Sequence, residues 1–225
     1  MLGEDSAKIR EVVTKAAVAN IPRGFLEEVN ETFPLAYRDI FEQIRQDGTT
    51  LQQKRPWRLY QDRHFRLEWE LSQAATRHGL DVTSNPLPEN GYKYTYVAAG
   101  QFGLTQQYIQ HVGALPKPAK YREELAKAAL APRLPLDDPE EIYTTKEFYG
   151  LIAHTPIGRT FTHDKQKLGY IGLCVPYPNM DGWAFQLSIP ELLAYYPAKA
   201  ASKKRASSGP RWKRDQKDNK SKGKK

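Results

Sequence analysis

The chain has only one cysteine, Cys174, and this scarcity excludes two kinds of stabilising site. A single thiol cannot form an internal disulfide, and the sequence has no Cys/His spacing typical of structural zinc. The residues around it, GYIGLCVPY, are mostly apolar. We therefore expect Cys174 to be a small buried hydrophobic residue.

Long apolar runs are also missing. No stretch of about 18 apolar residues is present to span a bilayer. The first residues lack the cationic region and apolar stretch that mark a signal peptide. Together these absences predict a cytoplasmic protein that does not associate with membranes.

The motifs of the common enzyme classes are absent as well. There is no Gly-rich phosphate loop, no H-E-x-x-H pair and no nucleophile elbow, and we expect no cofactor. The remaining catalytic candidates are His154, at the end of a predicted strand, and His163 and Asp164 in the loop that follows. These side chains can bind a divalent metal, with Lys165 or Lys167 stabilising phosphorane-like charge, as a nuclease requires. Their spacing is not diagnostic, so a metal-dependent nuclease is an alternative hypothesis only.

Positive charge is abundant but unevenly distributed. Lys and Arg total 34 against 26 Asp and Glu, and residues 198–225 hold twelve of the cations with two Asp, a net charge of +10. Residues 1–197 carry 22 cations against 24 anions, a net charge of −2. We predict one globular domain over 1–197 and a disordered basic tail over 198–225, since the tail has almost no apolar residue. Such a tail binds polyanions by counterion release. Its binding candidates are Lys203, Lys204, Arg205, Arg211, Lys213 and Arg214.

A second basic feature is predicted on a helix from about Pro56 to His78. At 100° per residue, its apolar residues fall on one side and arginines on the other. We call Arg58, Arg66 and Arg77 the arginine stripe and group Arg55 with them. Residues 54–66 hold five cations and one anion, interleaved with aromatic residues. This mixture favours phosphates and exposed bases, although a solvated helix face has the same composition.

The clearest strand signal is the hairpin YKYTYVAAGQFGLTQQYI, residues 92–109. A two-residue turn at Gly100-Gln101 would place Ala99 opposite Phe102 and put the apolar residues on one face. The other face would then carry Tyr92, Tyr94 and Tyr96. If exposed, this tyrosine row is suited to stacking bases. The alternative is that an N-terminal helix covers it.

The order of the elements predicts the fold class. Helical patterns dominate the first third, with a helix capped at Asp5 or Ser6 and a break near Pro34. Most strand patterns follow, after a loop over 81–91. In LGYIGLCVPY both the odd and the even positions are apolar, as in a central strand that is covered on both faces. Residues 132–141 are expected to form an ordered crossing. The prediction is an α+β fold, with N-terminal helices packed on a mainly antiparallel sheet of about five strands.

These patterns favour a nucleic-acid-binding accessory protein. Binding would be led by phosphate contacts with little base-edge readout, because no sequence-reading motif is present. The predicted partner is DNA or RNA, contacted mainly through the basic tail. The other alternative is a protein-interaction module whose tail aids solubility or contacts an acidic partner. The oligomeric state stays open.

Overall fold

The computed structural model describes residues 2–87, 91–129 and 148–197, with side chains from residue 7 onward. In these ranges six strands form one sheet in sequential order. The strands are β1 (Asp81–Pro86), β2 (Lys93–Ala99), β3 (Phe102–Tyr108), β4 (Phe148–Pro156), β5 (Leu168–Pro176) and β6 (Trp183–Ser188). The helices are α1 (Leu2–Asn20), α2 (Arg23–Gln46), α3 (Arg55–Arg77), α4 (Lys120–Ala128) and α5 (Ile189–Leu193), and a 3-10 turn (Gln52–Lys54) precedes α3.

The sheet consists of two antiparallel three-stranded meanders joined at its centre. Strands β1 to β3 form one meander and β4 to β6 the other, while β3 and β4 run parallel. A parallel pair needs a crossover connection, and α4 lies in it. The predicted α+β class with N-terminal helices and a mainly antiparallel sheet is confirmed. The acidic connector over 132–141 and the tail over 198–225 lie outside the described residues.

The sheet has one strand more than predicted. The extra strand is β1, which we expected to be loop, and it pairs with β2 over six residue pairs. Its sequence, DVTSNP, has no alternation of apolar and polar residues because this edge strand is largely exposed. Proline has no backbone N–H to donate. Pro86 is tolerated because it ends an edge strand, which has a neighbouring strand on one side only.

The predicted break at Pro34 is wrong, since α2 continues through it. Proline removes one backbone hydrogen bond from a helix, but nine buried side chains hold α2 against the rest of the protein. Helix α1 also begins earlier than predicted, so Asp5 and Ser6 lie inside it and do not cap it. At the start of α5, Ser188 and Glu191 form a capping box.

Helices cover both faces of the sheet. The helix-facing core joins α1, α2 and α3 to apolar side chains such as Val97, Phe102 and Leu104. On the opposite face α4 contributes Ala126 to a second core. That core contains Cys174, which is fully buried as predicted, and burial raises the pKa of its thiol to about 12.

The segment LGYIGLCVPY forms an interior strand covered on both faces, as predicted, although it is not one of the two middle strands. This segment forms β5, second from the edge, whereas the central strands are β3 and β4. Every residue of β4 is buried. Both faces of strand β5 are apolar because each packs in a core. Leu173 and Val175 belong to the helix-facing core, and Cys174 belongs to the core on the α4 side.

The predicted hairpin register is confirmed. Ala99 pairs with Phe102 and Val97 pairs with Leu104 across a turn at Gly100. Gly100 has φ +56°, and Gln101 has no positive φ, as in a type II′ turn. The side chain of Asn20, at the end of α1, accepts a hydrogen bond from the Gln101 N–H at 3.2 Å. The turn is therefore held by the last residue of α1.

Candidate nucleic-acid interface

One side of helix α3 packs against the sheet and α2, and the other side faces solvent. Its buried side includes Leu59, Leu67, Leu71, Ala74 and Ala75, on the side that the helical periodicity predicts. The arginine stripe lies outside this core, as expected. Among the described residues, no helix combines the length and apolar character needed to cross a membrane.

Each arginine of the stripe has an acidic partner. The pairs are Arg58 with Asp47 and Asp62, Arg66 with Glu70, and Arg77 with Glu28. Arg55 donates instead to the backbone carbonyl of Asp47, at 3.0 Å. A phosphate approaching the stripe would compete with these carboxylates. The stripe is therefore a weaker cationic surface than its composition suggests.

Between these arginines, α3 exposes large aromatic rings. Trp57, Phe65 and Trp69 are 63%, 52% and 51% exposed. The Phe65 ring stacks on Tyr92, which precedes β2, with a centroid distance of 6.2 Å and an interplanar angle of 25°. The Arg66 guanidinium lies 4.9 Å from the centre of the Trp69 ring. We call Trp57, Phe65, Trp69 and Tyr92 the aromatic face.

The three tyrosines of the hairpin do not form one exposed row. Tyr92 is 55% exposed, but Tyr94 is half-buried and stacks on Tyr121 of α4, with ring centroids 4.3 Å apart. Tyr96 lies across Gly103, where an added Cβ would collide with the tyrosine ring. The covering helix is α4 rather than one of the N-terminal helices. Of the predicted stacking residues, only Tyr92 is available on the surface.

The structure does not bring the catalytic candidates together. His154 is 2% exposed, and both of its ring nitrogens are hydrogen-bonded. His163 and Asp164 lie on the surface, 3.5 Å apart, and Asp164 also pairs with Lys167 at 3.0 Å. Within the described ranges, no group of three or more His, Cys, Asp or Glu side chains is arranged to hold a metal ion.

His154 instead belongs to a buried chain of hydrogen bonds that the sequence did not reveal. The chain crosses from α2 through β4 and β3 to α3. The Tyr37 hydroxyl lies 2.6 Å from His154 Nδ1, and His154 Nε2 lies 2.8 Å from Gln106 Oε1. Gln106 Nε2 is 2.8 Å from both His64 Nδ1 and Glu68 Oε1. We call these five residues the polar network.

The Glu68 carboxylate fixes the direction of every hydrogen bond in the network. A carboxylate only accepts, so Gln106 turns its amide N–H groups toward Glu68 and His64. Its carbonyl oxygen must then accept from His154 Nε2–H, which leaves His154 Nδ1 to accept from the Tyr37 O–H. Burial lowers the pKa of His154 well below its ordinary value, and the nearby Arg63 acts in the same direction. His154 is therefore a neutral residue that orders α2, α3 and the sheet.

Arg63 is a further buried polar residue of α3 that sequence reasoning missed. It is 2% exposed, and within the described ranges its hydrogen bonds go to amide and carbonyl oxygens rather than to a carboxylate. Its guanidinium lies 3.9 Å from the Tyr37 ring centre and donates to the Gln166 side-chain and backbone oxygens, both at 3.2 Å. Gln166 in turn donates to the carbonyls of Gly158 and Thr160. Arg63 thus anchors the loop between β4 and β5.

The polar network and Arg63 have little access to solvent, so we assign them to holding α3 in place. Among the described residues of α3 and its surroundings, those of the aromatic face and the arginine stripe stay accessible to a macromolecule. Comparison of the chain with protein-family models, with curated proteins and with solved structures found no match.

Proposed function

We propose that the protein binds nucleic acid, with residues 198–225 as the main source of affinity and the outer side of α3 as a docking surface. The observation that carries the proposal is the division of charge. The last 28 residues hold twelve cations and two anions, beside a body with 22 cations and 24 anions. This segment is where a polyanion gains most electrostatic free energy.

Binding of this kind is led by phosphate contacts. Each phosphate neutralised by Lys or Arg releases condensed counterions, so affinity falls steeply as salt rises. The arginine stripe adds less, because its members already pair with Asp47, Asp62, Glu70 and Glu28. Little sequence specificity is expected, since phosphate contacts carry no base information. The proposal places the protein in the cytoplasm, where nucleic acid is accessible to it.

The test compares the full-length protein with a variant in which six tail cations become glutamine. The substituted residues are Lys203, Lys204, Arg205, Arg211, Lys213 and Arg214. Fluorescence anisotropy with labelled oligonucleotides, at several salt concentrations, should show weaker binding and a slope of log K against log salt shallower by as much as about 5. Equal affinities and slopes for the two proteins would contradict the proposal.

A control variant removes the same charge from the body. It carries glutamine at six exposed lysines outside α3, which are Lys8, Lys93, Lys117, Lys120, Lys127 and Lys165. Its net charge equals that of the tail variant, so a non-specific charge effect would weaken both proteins equally. The proposal expects the control to bind nearly as the parent does. Unchanged oligonucleotide length after incubation with Mg²⁺ would separate binding from cleavage.

A further inference from the structure

The aromatic face has a regular geometry along α3. Trp57, Phe65 and Trp69 project within an arc of about 120°, at about 12 Å and 6 Å intervals along the helix axis. Tyr92 extends the surface sideways by its stack on Phe65. All four rings are more than half exposed. Successive flat groups of a ligand can therefore lie against successive rings.

Folding does not account for this concentration of aromatic residues. Single exposed apolar side chains are normal on a protein surface. In the described ranges, however, six of the ten large exposed hydrophobic residues are aromatic, and four of those six belong to the aromatic face. The outer side of a helix contributes nothing to the core, so bulky rings there stabilise the fold little. A contiguous set of such rings indicates a binding surface.

The chemistry around the rings selects the ligand. Arg66 lies over Trp69, and Arg58 projects between Phe65 and Trp69 around the helix while following Trp57 along its axis. Alternating guanidinium groups and rings suit a ligand that alternates anionic groups and flat groups. Aromatic and arginine side chains also occur at protein–protein interfaces, but the twelve cations of residues 198–225 favour a polyanionic ligand for this chain.

We infer that the aromatic face binds single-stranded nucleic acid by stacking unpaired bases on Trp57, Phe65 and Trp69. This inference rests on the proposed nucleic-acid function and names the form of the ligand. Bases in a duplex are already stacked on one another, whereas unpaired bases offer a free ring face. The basic segment supplies attraction to phosphates on either form. The aromatic face supplies the preference for single strands.

The test uses the full-length protein with Trp57→Ala, Phe65→Ala and Trp69→Ala, singly and together. The probes are an oligothymidylate and a DNA duplex, both labelled. Each single variant should lose roughly 5- to 150-fold in affinity for the oligothymidylate, as expected for losing one stacked base. Duplex affinity and the salt slope should stay as in the parent, because stacking releases no counterions.

The control is a Tyr177→Ala/Tyr195→Ala variant, which removes the two exposed aromatic rings that the described ranges contain outside the aromatic face. It should bind both probes as the parent does. Quenching of tryptophan fluorescence by oligothymidylate, with a smaller fractional quenching in Trp57→Ala/Trp69→Ala because Trp183 and Trp212 remain, is a further readout of stacking. Circular dichroism melting checks that each variant is folded. If the triple variant is unfolded, the three single variants still test the inference.

The outcomes separate the two proposals. If the parent binds neither probe, the nucleic-acid function itself is wrong. If the parent binds both probes but the aromatic variants keep full affinity for oligothymidylate, only the stacking inference is overturned. Equal losses on the oligothymidylate and the duplex would also overturn it, because they would show a contact that does not depend on unpaired bases.

Discussion

His154 has a single hydrogen-bonding role because each of its ring nitrogens has a fixed partner. Nδ1 accepts from the Tyr37 hydroxyl at 2.6 Å, and Nε2 donates to Gln106 at 2.8 Å. All three residues are nearly inaccessible to water. A buried polar group that loses its partner carries the full cost of desolvation, so the network specifies one arrangement of α2 against the sheet.

Tyr37→Phe should therefore destabilise the protein through His154 rather than through packing. The phenyl ring keeps the contact with Arg63 but removes the donor to His154 Nδ1. Urea unfolding should show a loss of about 1–3 kcal/mol in the free energy of unfolding. Tyr195→Phe is the matched control, since that side chain is 56% exposed, and it should change stability little. Equal effects of the two substitutions would mean that the hydroxyl contributes nothing to the network.

The same buried histidine makes stability depend on pH. Burial lowers the pKa of His154, and also that of His64, below the value of an unfolded chain. Below about pH 6.5 the unfolded chain therefore binds more protons than the folded protein, and the free energy of unfolding falls as pH decreases. The groups facing His154 are Tyr37, Tyr108, Gln106, Arg63 and His64.

We expect urea unfolding to show a fall in stability between pH 7.5 and pH 5.5, by up to about 1.4 kcal/mol per pH unit for each buried histidine. A His154→Gln variant should be less stable than the parent at pH 7.5 and lose less on acidification. If its unfolding free energy changes with pH as steeply as that of the parent, His154 does not cause the dependence.

At the scale of elements, the hairpin turn shows how a local signal and a tertiary contact agree. The Gly100 turn was predicted from sequence, but its contact with Asn20 of α1 was not, because 80 residues separate the two. An added Cβ at position 100 would collide with Asn20 Oδ1, and φ is +56° there. Glycine is therefore required both by the turn and by the close approach of α1.

Gly100→Ala should consequently lower the melting temperature, with a destabilisation of at least about 1 kcal/mol. Gly48→Ala is the control, because nothing lies within 4 Å of a Cβ at that position and its φ is not positive. There the loss of unfolded-chain entropy should leave stability unchanged or raise it by about 0.4–1 kcal/mol. Differential scanning calorimetry of both variants measures the difference, and similar melting temperatures would refute the predicted collision.

Elements with strong periodicity were predictable from the sequence, and long-range polar contacts were not. The faces of α3 and the hairpin register follow from the 3.6 and 2.0 residue periods. Strand β1 was missed because its exposure removes the alternation. Tyr37 and His154 are 117 positions apart, so only the folded chain shows that they meet. The rings of Trp57 and Phe65 were visible as composition, but their exposure and the stack of Phe65 on Tyr92 were not.

At the scale of the whole molecule, the positive charge is concentrated in the sequence that follows Pro197. Tyr196, near the end of the described residues, is 8% exposed. Its hydroxyl lies within hydrogen-bonding distance of the carbonyls of Ala17 and Ile21, at 3.2 Å and 2.7 Å. The Pro197 carbonyl accepts from Arg23 at 2.7 Å. Tyr196 and Pro197 thus belong to the folded part of the chain, and twelve of the 34 cations follow them in the sequence.

A chain that ends at Pro197 should therefore keep the melting temperature of the full-length protein and lose most of its affinity for nucleic acid. Its net charge is −2 instead of +8, so electrostatic attraction to phosphates is removed and the salt slope should shrink. A chain that ends at Ala194 is the control for folding, because it also lacks Tyr196 and should melt earlier. Thermal melting and anisotropy titrations on the three proteins give the test. A large loss of thermal stability in the chain that ends at Pro197 would show that residues 198–225 support the fold. If that chain kept the affinity of the full-length protein, nucleic acid would bind to residues 1–197 instead.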